Sequence, residues 1–186
     1  MPSYIINIVM KRPNPMKGYV QVYTGDGKGK TTAAIGLAIR AAGAGLRVYI
    51  AQFLKHGDYS EIRALARFSD QITVEQFGLG GFIVGDPTPE DIQSAVKGLN
   101  RAREVMTGGN VDVVILEEAN RAASRGLFPV QAILDMIHLK PDSVELIITG
   151  RGADFAVIDE ADLVTEMTCI KHYYQKGVPA RTGIEK

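Results

Sequence analysis

The spacing of apolar positions changes period repeatedly along the chain. VQVY (20–23), RVYIAQF (47–53), ITVEQF (72–77), VDVVILE (111–117) and VELIIT (144–149) are short runs rich in Val and Ile, and they predict strands. In VVIL and LII the apolar residues are continuous, as in strands covered on both faces. ADLVTEM (161–167) is a weaker sixth candidate. Between these runs lie helical stretches. Residues 30–42 are apolar nearly all round, which predicts a helix buried against a sheet and stopped by Gly43 and Gly45. Residues 88–106 open on TPEDI, where Thr88 caps, Pro89 fits the first turn, and Glu90 and Asp91 suit the positive helix end. Residues 128–139 predict a shorter helix that stops before Lys140-Pro141. Strands alternating with helices predict a three-layer α/β fold around a mostly parallel central sheet of about six strands.

Residues 1–17 read as an N-terminal extension and 18–186 as one domain, a size that supports a sizeable core. The stretch FGLGGFIVGDPTP (77–89) carries four glycines and two prolines beside apolar residues. It reads as a surface loop or as a mobile wall for an apolar ligand. Acidic and basic residues balance at 21 each, so no overall field draws the chain to nucleic acid or to an anionic membrane. No apolar run reaches the ~20 residues needed to span a bilayer. YIINIVM near the start has neither a basic segment before it nor a small-residue cleavage site after it, so a cytoplasmic location is expected. The single cysteine, Cys169, excludes an internal disulfide and is expected as a small core residue. His56 and His138 have no metal-ligand spacing.

The chemistry concentrates in TGDGKGKTT (24–32), placed between a strand and a helix. Gly29-Lys30-Thr31 fit the end of the G-x-x-x-x-G-K-[ST] phosphate loop, whose first position is here Thr24. Gly25, Gly27 and Gly29 permit turns that aim backbone N–H groups inward. Lys30 brings a positive charge, Thr31 a hydroxyl for Mg²⁺, and the following helix its positive end. Lys28 and Thr32 complete the candidate nucleotide-binding set, with Asp26 expected to point outward or cap locally. VDVVILEEAN puts Glu117 and Glu118 at the end of a buried strand, where a metal-binding carboxylate belongs. Neighbouring residues on a strand point to opposite sides, so at most one of the two would face a metal directly.

With these two motifs in place, residues 18–185 resemble the phosphate-loop type of ATP:corrinoid adenosyltransferases. The family loop reads like TGNGKGKTTAA, against TGDGKGKTTAA at 24–34. Arg40, Gln52-Phe53 with Lys55, TGRGA (149–153) and KHYYQKGVPARTGIE (171–185) match further family elements in order. Three departures stand out. Glu117-Glu118 replaces Asp-Glu, Asp26 replaces Asn, and Gly81-Phe82-Ile83-Val84 replaces a G-F-T-W segment associated with the lower face of the corrinoid.

The resemblance implies that ATP is an alkyl donor. Co(I) of a corrinoid attacks the ribose 5′-carbon and triphosphate leaves, in the synthesis or salvage of adenosylcobalamin. Mg²⁺, Lys30 and the loop amides would neutralise the leaving group, with Thr31 and Glu118 as the metal-associated residues. Phe82 would be an apolar wedge beneath the ring, helped by Ile83 and Val84. Arg151 would contact phosphate or corrinoid amides. A reduced flavoprotein as electron donor and a homodimer are also implied. Two other readings of the residues remain open here: a small phosphate-loop kinase or ATPase with Glu117 as base, and a nucleotide-dependent switch without turnover.

Overall fold

The computed structural model describes residues 17–81 and 83–185. Six strands form one sheet: β1 (Val20–Thr24), β2 (Val48–Phe53), β3 (Ile72–Phe77), β4 (Val113–Glu117), β5 (Glu145–Thr149) and β6 (Leu163–Glu166). Every pairing is parallel and the order is β3-β2-β4-β5-β1-β6. Parallel neighbours need crossovers, and helices supply them. The helices are α1 (Lys30–Gly43), α2 (Ser60–Leu65), α3 (Pro89–Thr107), α4 (Ala119–Ser124), α5 (Val130–Leu139) and α6 (Phe155–Asp159). Short 3₁₀ turns follow α2 and occupy 173–176.

The strand alternation sorts the core into two layers. Val48, Ile50, Val113, Ile115 and Ile147 face one way and meet Ala34, Ala38, Ala41 and Ala42 of α1 and Leu65 of α2. Tyr49, Ala51, Phe53, Val114, Leu116, Leu146 and Ile148 face the other way, toward α3, α4, α5 and Val157 of α6. β4 is buried at all five positions, as its continuous apolar run requires. β6 is the opposite case. Its four residues are exposed, because it is an edge strand bonded only to β1.

α1 lies against the sheet as expected, burying Lys30 and a stripe of alanines while Ile39 on its other side is exposed. One expectation changes. Cys169 is exposed, not in the core, because the chain leaves the edge strand β6 just before it. The α3 start follows expectation closely. Thr88 Oγ1 accepts from Asp91 N at 3.2 Å while the Asp91 carboxylate accepts from Thr88 N at 3.0 Å. Among the described residues, no helix is long and apolar enough to cross a membrane.

Candidate active site

The strand order puts β5 and β4 between β1 and β2, which are consecutive in the chain. Such a switch opens a crevice at the carboxyl ends of the strands. The phosphate loop follows β1, Lys55 follows β2, Glu118 follows β4 and Arg151 follows β5, and all line one cleft of about 530 Å³.

The loop is shaped by its contact with the chain after β6. Gly27 N donates to Met167 O at 2.6 Å, and Met167 N donates to Thr24 O at 2.9 Å. A Cβ on Gly25 or Gly27 would lie 2.5 or 2.6 Å from Met167 O, so only glycine lets the two backbones approach this closely. Gly25 (φ 90°) and Gly29 (φ 126°) also hold left-handed conformations. Gly29 precedes α1 without a side-chain cap, which leaves the first amides of the helix for a ligand.

Lys30 is buried at the root of α1. Its Nζ donates to Gly25 O at 2.6 Å and Gly27 O at 2.7 Å, folding the ammonium into the loop. Burial, followed by the nearby Arg151 charge, lowers its pKa. An anion in the loop would oppose both effects. Thr31, Thr32, Gly29 and Arg151 line the cleft, with Thr32 and Arg151 exposed. Asp26 is exposed as well. Lys28 lines the cleft, but its ammonium is turned to the carboxyl-terminal tail. It bonds Tyr173 Oη at 3.1 Å, Ile184 O at 3.0 Å and Glu185 Oε1 at 2.9 Å. His172, Gly183 and Ile184 of that tail close one side of the cleft.

The two neighbouring glutamates divide their roles. Glu117 ends β4 with 1% exposure, and its Oε1 accepts from Thr31 Oγ1 at 2.5 Å and from Lys55 Nζ at 3.3 Å. Its Oε2 is buried with no hydrogen-bond partner among the described residues. Burial pushes the Glu117 carboxyl pKa up, and the Lys55 charge works against that shift. Glu118, the carboxylate expected at the metal, lines the cleft from a left-handed residue (φ 62°), and its N–H donates to Thr149 Oγ1 at 3.0 Å. The contact with Thr31 therefore belongs to Glu117. Lys55 also stands out: its match to the QF-x-K element carried no role, yet it reaches Glu117 and lies 3.7 Å from Glu61.

Elsewhere, Arg125 Nη2 donates to Ile83 O at 3.0 Å and Gly85 O at 2.6 Å, tethering the glycine-rich loop after β3. Val84 is 91% exposed beside this tether. Phe82, the expected wedge, lies outside the described residues.

A family model for ATP:corrinoid adenosyltransferases of the BtuR/CobO/CobP group matches residues 16–185. The chain belongs to the ATP:corrinoid adenosyltransferase family. Membership makes it an enzyme of the transferase class. A corrinoid adenosyltransferase of Pseudomonas aeruginosa is 32% identical over 170 residues, covering 91% of this chain and 84% of that protein. A corrinoid adenosyltransferase of Escherichia coli K12 is 30% identical over 176 residues, covering 91% and 86%. Among solved structures, the KaiC-like protein PH0186 of Pyrococcus horikoshii matches with a TM-score of 0.55 at 13% identity, over 81% of this chain and 72% of that one. That likeness speaks for the α/β fold alone. Residues at the carboxyl edge of the adenosyltransferase fold thus include a glycine cradle, two ammonium groups and a buried carboxylate.

Proposed function

We propose that the chain transfers the 5′-deoxyadenosyl group of ATP to Co(I) of a corrinoid and releases triphosphate. The supporting observation is the family match over residues 16–185, together with the loop residues Gly27–Thr32 lining an open cleft. In this reading the electron pair of the Co(I) substrate forms the cobalt–carbon bond. The C5′–oxygen bond breaks and its electron pair leaves with the triphosphate. No hydroxyl is deprotonated, so no general base is required.

The chain's own groups then have three tasks. Lys30 exchanges the carbonyls of Gly25 and Gly27 for phosphate oxygens, and the loop amides and the first turn of α1 add donors. Arg151 contributes a second positive charge across the cleft. The tail held to Lys28 covers the polyphosphate from the solvent side.

The residues fit a divalent cation. Glu117 is 1% exposed, and although Thr31 and Lys55 bond its Oε1, its Oε2 meets no partner among the described residues and is costly to bury unless a cation or donor comes to it. Among the described residues no group of three or more His, Cys, Asp or Glu is arranged to hold a metal. Mg²⁺ suits such a site, since it is usually held by one or two protein ligands plus phosphate and water. Thr31 and Glu117 would hold it, with Glu118 close by. When bound it would neutralise the departing polyphosphate.

The apolar residues exposed after β3, β5 and β6, namely Val84, Phe155 and Ile170, favour a large, partly apolar second substrate at the same edge. The wedge at Phe82, a homodimer, a reduced flavoprotein donor, a cytoplasmic site of action and a single domain from residue 18 onward complete the reading. The family resemblance supports the wedge, dimer and donor.

The test is to incubate the protein with Mg²⁺, γ-labelled ATP and chemically reduced cobalamin. Labelled triphosphate formed with the adenosylated corrinoid is the expected result. Labelled orthophosphate, or label passed to an acceptor at a rate independent of the corrinoid, would support the kinase or ATPase reading instead. Binding without turnover would support the switch.

A further inference from the structure

The cleft contains an ammonium that the phosphate-loop reading leaves without a task. Lys55 Nζ is 3.3 Å from Glu117 Oε1 and 3.7 Å from Glu61 Oε1, with a fifth of its side chain exposed. Its backbone is held in place by an unusual turn. β2 ends at Phe53, and Leu54 takes φ 62°, a left-handed value rare for a bulky side chain. Gly78 N donates to Lys55 O at 3.1 Å. A Cβ on Gly78 would sit 2.6 Å from both Leu54 C and Lys55 N, so a glycine is required where the chain leaves β3. A strained residue and an obligatory glycine together fix where the lysine stem starts.

Glu117 Oε1 thus carries the Thr31 hydroxyl and the Lys55 ammonium at once, while no described residue bonds Oε2. The ammonium neutralises the carboxylate on which a divalent cation would sit. Two cations close to one oxygen repel each other strongly in a buried site. We propose that Lys55 is the resident counter-cation of this site: it holds Glu117 in the metal-free protein, and it moves its ammonium onto the polyphosphate when a divalent cation occupies the carboxylate. The flexible four-carbon stem gives the reach, and Glu61 gives a second anchor on the cleft wall. Lys55 would then be a ligand-binding residue in addition to Lys30. The Lys55–Gly78 bond would also link the nucleotide site to the start of the glycine-rich loop. This inference rests on the polyphosphate reading of the cleft.

The experiment uses the full chain and two probes: Mn²⁺ alone, followed by electron paramagnetic resonance, and tripolyphosphate at saturating Mn²⁺, followed by calorimetry. In Lys55→Met, Mn²⁺ should bind about tenfold more tightly, because its competitor is gone. Tripolyphosphate should bind about 10–100-fold more weakly, because a charged donor is lost. Lys55→Gln, which keeps an N–H donor for Glu117, carries the same test if the methionine variant does not fold. Any result in which the two affinities fail to move in opposite directions overturns the proposal, including a joint loss with reduced thermal stability, the mark of a purely structural ion pair. The unaltered protein separates the two levels. If it binds tripolyphosphate neither with nor without Mn²⁺, the functional reading fails; if it binds normally and the variants match it, only the role of Lys55 fails.

Discussion

The two glycine-rich loops of this chain obey different constraints. In the phosphate loop, Gly25 and Gly27 press against Met167, and a Cβ on either would come within 2.6 Å of its carbonyl oxygen. In the loop after β3, Gly81 and Gly85 hold φ 77° and 79°, yet a Cβ there meets none of the described residues within 4 Å. The first loop needs glycine for space, and its shape is set before a ligand arrives. The second needs glycine for space only at its root, Gly78, and beyond it for backbone conformation, and Arg125 tethers it at two carbonyls. Preorganisation belongs where charge must be neutralised in the transition state, because donors that need no rearrangement stabilise it most. A loosely supported wall suits a bulky ligand that has to enter and leave.

Substitutions can break this comparison, beginning with the largest effect. Lys30→Ala should lower kcat for adenosyl transfer by about 10²–10³, or ~3–4 kcal/mol, while circular dichroism shows the fold retained. Activity close to that of the unaltered protein would remove the leaving-group account. Gly27→Ala should lower kcat/KM by about 10²-fold through displacement of the loop from Met167, with ATP affinity falling alongside. Arg125→Ala should raise the KM for the corrinoid about tenfold and leave the KM for ATP unchanged, since it frees only the second loop. Equal changes in both KM values would mean that the loops act as one unit. Gly85→Ala should cost roughly 1–2 kcal/mol of stability by thermal denaturation, with little effect on ATP binding.

Much of the fold was legible in the sequence, but its decisive contacts were not. All six strands lie where Val- and Ile-rich runs place them, and α3 begins at the TPED signature because its cap is local chemistry. α2, α4 and α6 have six residues or fewer, too short for a 3.6-residue period to show. At the site, the loop and both glutamates were visible, but the hydrogen bond from Thr31 to Glu117 was not. Strand alternation requires a choice between neighbours, and the left-handed turn at Glu118 that ends the strand leaves no local signal in a glutamate. Lys55 was missed as a functional group for the same reason, since its position depends on a left-handed Leu54. The tail's hold on Lys28 spans 157 residues of sequence, and only folding reveals it.

That hold predicts the smallest effect. Glu185 Oε1 accepts from Lys28 Nζ at 2.9 Å and from Tyr173 Oη, and Oε2 accepts from Arg181 N at 2.8 Å. Arg181 first, then Tyr173 and Lys28, keep the Glu185 carboxyl well below its usual value of 4.5. A carboxyl depressed in the folded state stabilises it fully above that usual value, and the contribution fades as pH falls through the lower, folded one. Lys28 is raised, chiefly by Glu185, so its side of the contact persists until pH climbs past 10.5. The tail should therefore loosen on the acid side only. Hydrogen exchange at residues 172–185, corrected for the intrinsic rate, should quicken below pH 4.5 while β4 and β5 stay protected. Glu185→Gln should show the faster exchange already at neutral pH and no further acid response. If the variant kept the full acid response, a different carboxylate would be holding the tail, and the preformed side of the cleft would end at the phosphate loop itself.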